Sequence, residues 1–162
     1  LGDVYKRQYY GLVSFIDELI GKILAAVNSL ELDGSTQIIY TSDHGDNIGE
    51  RNLWGKSNFY EESIGIPLII AGPNVPIGKV CQTPVSLVDI YPTILETAKL
   101  SVEPQKPGRS LSKIANEPDE NDRMIFAEYH AMGSKSGGFN PPFPSSCHTN
   151  PQISGTPTAS GN

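Results

Sequence analysis

The chain is poor in cysteine, in basic residues and in long apolar runs, and each shortage removes a class of protein. Two cysteines in 162 residues cannot build the disulfide framework of a small secreted scaffold, and sequence gives no ground for pairing Cys81 with Cys147. Lys and Arg number 12 against 18 Asp and Glu, a net charge of -6. With no basic stripe carrying interleaved aromatics, that balance argues against nonspecific nucleic-acid binding. No apolar stretch approaches the roughly 20 residues that span a bilayer. The first residues do not read as a signal peptide either, and this says nothing about export. An apolar fraction of 38% beside 16 glycines and 13 prolines leaves less core material than a self-sufficient α/β domain usually carries, so marginal stability is the expectation. There are no internal repeats.

What is present is a layered α/β pattern. Leu12, Phe15, Ile16, Leu19, Ile20, Ile23, Leu24, Val27 and Leu30 recur at helical spacing. Asp17, Glu18, Lys22 and Asn28 fall largely on the other side, which predicts an amphipathic helix docked on a sheet. A turn at Leu32-Asp33-Gly34-Ser35 leads to a buried strand over Ile38–Tyr40. Pro67 to Ala71 predicts a second buried strand, stopped by Gly72-Pro73, and Val80 to Pro84 a short third one. Asp89 is placed to cap a helix from Ile90 to about Lys99, with Pro92 in its first turn, where a missing N–H costs little. Glu103 to Arg109 reads as a linker, and Met124 to Tyr129 as a strand. Leu1 to Gln8 does not extend the helical pattern and reads as foreign sequence. From Phe139 onward the chain turns to Pro, Ser, Thr and Gly, for which disorder is the physical expectation.

The chemistry concentrates between the first two strands. Ile38-Ile39-Tyr40 empties into Thr41-Ser42-Asp43-His44-Gly45-Asp46-Asn47-Ile48-Gly49-Glu50-Arg51, then Leu53-Trp54-Gly55-Lys56. Ligands in open α/β sheets gather where strands end, so Asp43 and His44 can be aimed at one ion. A carboxylate suits calcium or magnesium, and an imidazole widens the choice toward manganese or zinc. Lys56 adds a mobile positive charge for an anionic ester. Taken alone, Asp-His-Gly is also ordinary loop chemistry: an Asx-turn, a partly buried histidine and a solvated lysine. Glu50 and Arg51 read as a local pair that shapes the loop, and Trp54 and Tyr60 as packing residues.

The loop, continued through Tyr60-Glu61-Glu62-Ser63, Ile66-Pro67-Leu68-Ile69-Ile70-Ala71-Gly72-Pro73, Ser86-Leu87-Val88-Asp89-Ile90-Tyr91-Pro92-Thr93 and Ala127-Glu128-Tyr129-His130, resembles the C-terminal half of the sulfatase family in the alkaline phosphatase superfamily. Tyr9 to Asp17 resembles the helix before the metal strand in that family, and the Asp-His pair with the Glu-Tyr-His ending is closest to choline-sulfatase-like members. The resemblance implies an α/β fold, part of a sandwich whose mixed, mainly parallel sheet is flanked by helices. Residues 9–100 would belong to the catalytic domain, residues 101–138 to a linker and the start of a small C-terminal subdomain, and residues 1–8 and 139–162 would be non-native or disordered.

For activity, the resemblance implies a metal-dependent hydrolase of small-molecule or carbohydrate sulfate esters. Asp43 and His44 would be metal ligands for a divalent cation, Ca2+ ahead of Mn2+. Lys56 would contact the ester and neutralise its leaving group. His130 would line the substrate pocket, and Arg51 is a lesser candidate for substrate contact. The family's nucleophile is a formylglycine made within a Cys/Ser-x-Pro-x-Arg motif, which these residues do not contain. The expectation is therefore half an active site, inactive alone. The same Asp-His pair and lysine also suit a phosphonate monoester or phosphodiester hydrolase, and a non-catalytic metal-binding module stands as the reading outside enzymes.

Overall fold

The computed structural model describes residues 2–128. It opens with a 28-residue helix α1 (Gly2–Ser29), so residues 2–8, expected to stand apart, are helical. Glu31 ends the helix with a positive φ of 56°. In that conformation its N–H reaches the Asn28 carbonyl at 2.9 Å and the next N–H, of Leu32, reaches the Val27 carbonyl at 3.0 Å. This is a Schellman cap with a glutamate where glycine is usual. The apolar stripe formed as expected, but its docking did not: no residue of α1 is buried. Leu12 and Ile23 stay more than 60% exposed, and no other described helix or strand packs closely along α1.

That sheet consists of β1 (Ile38–Thr41) and β2 (Leu68–Ala71), paired antiparallel with Ile38 opposite Ala71 and Thr41 opposite Leu68. Alternation puts Ile39, Leu68 and Ile70 on the core side, while Tyr40 and Ile69 face out. A mainly parallel sheet is not what the described strands form. Two four-residue strands joined by a long excursion simply run back against each other. Within the excursion lies a single-turn helix α2 (Glu61–Ile64).

After β2 come α3 (Ile90–Thr97) and α4 (Leu111–Asn116); α4 carried no clear sequence signal. Leu68, Cys81, Val85, Leu111 and Ile114 form the core. Thr93, fully buried, accepts the Leu111 N–H at 2.8 Å and so ties α4 to α3. Asp89 is not the simple cap that its position suggested. Its carboxylate, with no exposure, accepts the Ser86 N–H at 2.9 Å and the Arg109 N–H at 2.8 Å. Arg123 adds two guanidinium bonds, 2.7 and 2.9 Å long.

The strand expected over Val80 to Pro84 does not form. Side chains take the place of a ladder there: Gln82 N–H donates to Asp119 at 3.1 Å, and Thr83 Oγ1 accepts the Glu120 N–H at 2.9 Å. Met124 to Glu128 is likewise irregular rather than a strand, and Tyr129 lies outside the described residues. Among the described residues no helix is long and apolar enough to cross a membrane.

Candidate active site

The site is built by the excursion between β1 and β2, which leaves the sheet at Thr41 and folds back on itself twice. Ser42 Oγ donates to the His44 carbonyl at 2.8 Å, turning the chain just past the strand. Gly45 N–H then donates to the Ser63 carbonyl at 2.8 Å, Asn47 N–H to the Gly55 carbonyl at 2.8 Å, and Gly49 N–H to the Leu53 carbonyl at 2.9 Å. These bonds bring residues 53–63 beside residues 45–49. The Asx-turn considered for Asp43 belongs to Asp46, whose carboxylate accepts the Ile48 N–H at 2.8 Å. Its other oxygen accepts the Tyr5 hydroxyl at 3.2 Å, and this contact holds the phenol proton and raises the Tyr5 pKa. Tyr5 also meets the Trp54 ring edge-on at 4.9 Å, so Trp54 is a packing residue.

Asp43 and His44 act together. The Asp43 side chain is 83% exposed, with Oδ2 3.5 Å from His44 Nε2, while Oδ1 accepts the His44 N–H at 3.0 Å. His44 Nδ1 lies 2.8 Å from the Gly45 carbonyl. A carbonyl can only accept, so Nδ1 carries the proton and, in the neutral ring, Nε2 keeps its lone pair. Lys56 completes the group: its ammonium donates to that Nε2.

A cavity of about 410 Å³ lies in front of these three residues. Phe59, Ile66, Val85 and the segment Ile125 to Glu128 are in its wall. Asp43, His44 and Lys56 share this hollow with apolar side chains and with Ser57, Asn58 and Ser86, a mixed lining of the kind that orients a small molecule.

Arg51 stands elsewhere. It pairs with Glu62 at 2.5 Å rather than with its neighbour Glu50 and stacks 4.4 Å over the Tyr60 ring. The Glu62 carboxylate raises the Arg51 pKa, and the guanidinium lowers that of Glu62. Arg51 does not line the cavity; it braces the loop. His130 lies outside the described residues. Sequence reasoning assigned no part to Ser63 or to Ile125 and Phe126, which carry no chemistry-bearing pattern and enter the site only through the fold.

The donor set suits a divalent cation in part. Histidine ligands to metals characteristically give their other ring proton to a carbonyl or carboxylate, and His44 does so through Nδ1. Among the described residues, however, no third His, Cys, Asp or Glu joins the pair, so Asp43 and His44 offer two ligands rather than a complete shell.

Comparison with known proteins bears directly on this geometry. A family model described as sulfatase matches residues 4–100. The chain is 36% identical over 132 residues to choline-sulfatase of Rhizobium meliloti, covering 80% of this chain and 25% of that protein. It is 42% identical over 106 residues to arylsulfatase K of Xenopus laevis, covering 65% of this chain and 20% of that one. Among solved structures, it resembles a phosphonate monoester hydrolase from Silicibacter pomeroyi with a TM-score of 0.61 and 31% identity, over 67% of this chain and 21% of the other. It also resembles a protein solved with its substrate D-glucosamine-2-N,6-O-disulfate, with a TM-score of 0.62 and 32% identity, over 75% and 26% of the two chains. The chain spans about a quarter of the length of the curated relatives it matches.

Proposed function

The chain belongs to the sulfatase family, and from that premise we propose that it forms part of a hydrolase of sulfate esters. The observation that carries this reading is the meeting of Lys56 and His44, with Asp43 beside them, at the end of a cavity of ligand size. An anionic ester entering that cavity meets the ammonium of Lys56 beside His44. Lys56 Nζ is free to swing from His44 to the bridging oxygen and to offset the charge that grows there as the bond breaks. Asp43 and His44 would hold a divalent cation, calcium ahead of manganese, with the metal taking the place of the Lys56 ammonium on His44 Nε2; that cation would polarise the sulfuryl oxygens. Phe59, Ile66 and Val85 exclude water from the rest of the substrate.

The nucleophile in this reading is a formylglycine supplied by sequence other than these 162 residues, which contain no Cys/Ser-x-Pro-x-Arg. Residues 9–100 then contribute to a sandwich with a mixed, mainly parallel sheet, and residues 101–138 lead into a smaller C-terminal subdomain. The substrate is a small-molecule or carbohydrate sulfate, in keeping with choline-sulfatase and the disulfated glucosamine complex among the similar proteins.

One observation favours a second reading. The likeness to a phosphonate monoester hydrolase is as strong as that to the sulfated-sugar complex, and the same lysine and Asp-His pair serve a phosphorus centre equally well. A side-by-side assay of the full-length enzyme on matched sulfate and phosphonate monoesters decides between them. The proposal expects sulfate esters to have the higher kcat/KM; preference for the phosphonate overturns it. Turnover of neither ester by the full-length protein would favour a non-catalytic metal-binding module.

A further inference from the structure

Ser63 is 2% exposed and holds both arms of the site loop at once. Its carbonyl accepts the Gly45 N–H at 2.8 Å, and its hydroxyl donates to the Lys56 carbonyl. Gly45 follows His44, so one buried residue fixes the backbone on either side of the contact between His44 and Lys56. The approach leaves no room for a side chain: a Cβ on Gly45 would stand 2.1 Å from the Glu62 carbonyl oxygen.

Asn47, 1% exposed, fastens the preceding residue. Its N–H donates to the Gly55 carbonyl at 2.8 Å, and its side-chain amide donates to the same oxygen. The backbone of Lys56 is thus held while its side chain stays exposed. Lysine has a long flexible stem, so a fixed origin for that stem limits where the ammonium can reach. The α2 turn itself does not need the Ser63 hydroxyl, because the Ser63 N–H already bonds the Tyr60 carbonyl at 2.9 Å.

We propose that Ser63 is a positioning residue: through the Lys56 carbonyl it sets the reach of the Lys56 ammonium toward the leaving-group oxygen. The inference rests on the catalytic part proposed for Lys56. A displaced catalytic group costs rate rather than affinity, and small displacements cost about ten- to a hundredfold.

The test is a double-mutant cycle in the full-length enzyme, with an alkyl sulfate and a nitrophenyl sulfate as substrates. Ser63→Ala lowers kcat on the alkyl sulfate by about tenfold, with little change in KM and a smaller loss on the nitrophenyl ester, whose leaving group needs less help. Added to Lys56→Ala, the same change costs little more, because the group it positions is gone. Ser63→Cys keeps a side chain of similar shape, only somewhat larger, but donates weakly, so it shows the same dependence on leaving group even if Ser63→Ala fails to fold. Independent, multiplying losses from Ser63 and Lys56, or equal losses on both substrates, overturn the inference while leaving the part of Lys56 standing. A Lys56→Ala enzyme with wild-type rates removes the reading of Lys56, and this inference falls with it.

Discussion

Lys56 and His44, twelve positions apart, meet nitrogen to nitrogen. The contact depends on Gly45, whose carbonyl takes the Nδ1 proton of His44 and leaves Nε2 to accept from the ammonium. A lysine held by a neutral imidazole is held weakly compared with one paired to a carboxylate, so an entering anion can draw it away. The arrangement stores a cation at the end of the cavity without neutralising it.

The first prediction follows for Lys56→Ala in the full-length enzyme. It should lower kcat on an alkyl sulfate by about a hundredfold while the fold stays intact, since Lys56 is an exposed residue acting mainly in the transition state. Rates for both the alkyl and the nitrophenyl ester, with circular dichroism for the fold, check it. Wild-type rates on both substrates would place Lys56 in solvent.

The candidate site was largely legible in the sequence. Asp43, His44 and Lys56 stand in one ordered run of loop chemistry at the end of β1, and the fold brings them together. The strands were legible to within one residue, Ile38 to Tyr40 extending to Thr41 and Pro67 to Ala71 starting at Leu68, but they are not the buried strands expected: only Leu68 is buried. What failed was whatever depended on long-range partners. Val80 to Pro84 is β-rich in composition, but Asp119 and Glu120 satisfy it from 37 residues away. Arg51 pairs with Glu62 and lies over the Tyr60 ring, partners nine and more positions away that a local reading of Glu50-Arg51 does not reach. The stripe of α1 was read correctly as a pattern, yet a pattern does not say what covers it.

A second prediction concerns Arg123, whose side chain is 16% exposed beside a fully buried Asp89. Asp89 holds the guanidinium charged and raises the Arg123 pKa. Arg123→Met keeps most of the volume but leaves the carboxylate buried with only backbone donors, and removing one partner of a buried pair costs roughly 3 kcal/mol or more. Urea unfolding should show that loss, and replacing Asp89 by Asn in the same chain should restore part of it. No change in midpoint would mean that water replaces the guanidinium freely.

Acid should weaken the fold by a third route. Hydrogen bonds from Arg51 to Glu62, from Ser110 and then Lys113 to Glu96, and from the Gln82 N–H to Asp119 hold these three carboxyls below their ordinary values. A carboxyl with a lowered folded-state pKa contributes stability that is fully present above its unfolded-state value. That stability is lost as pH falls through the folded-state value. Urea midpoints should therefore fall as pH drops below about 4, where unpaired carboxylates take up protons. Asp119→Asn should flatten part of that dependence; an unchanged slope would show that its bond to Gln82 does not distinguish the folded state.

The last prediction separates the metal from the residues that hold it. Asp43 and His44 supply two donors, and calcium takes about six to eight oxygens, so these 162 residues alone should bind calcium weakly in calorimetry, with no submicromolar affinity. We expect the remaining ligands to come from sequence other than these 162 residues, so in the full-length enzyme a chelator should abolish sulfate-ester hydrolysis and added cation should restore it. Calcium's lead rests on the oxygen ligands, and the imidazole pulls against it. Nitrogen ligands favour manganese over calcium, whereas the exposed carboxylate of Asp43 serves either. His44→Asn, which trades nitrogen for an amide oxygen, should therefore shift reactivation toward calcium and away from manganese, while Asp43→Asn should weaken both. Reactivation profiles identical in wild type and His44→Asn would show that His44 is not a ligand and that its lone pair serves Lys56 alone.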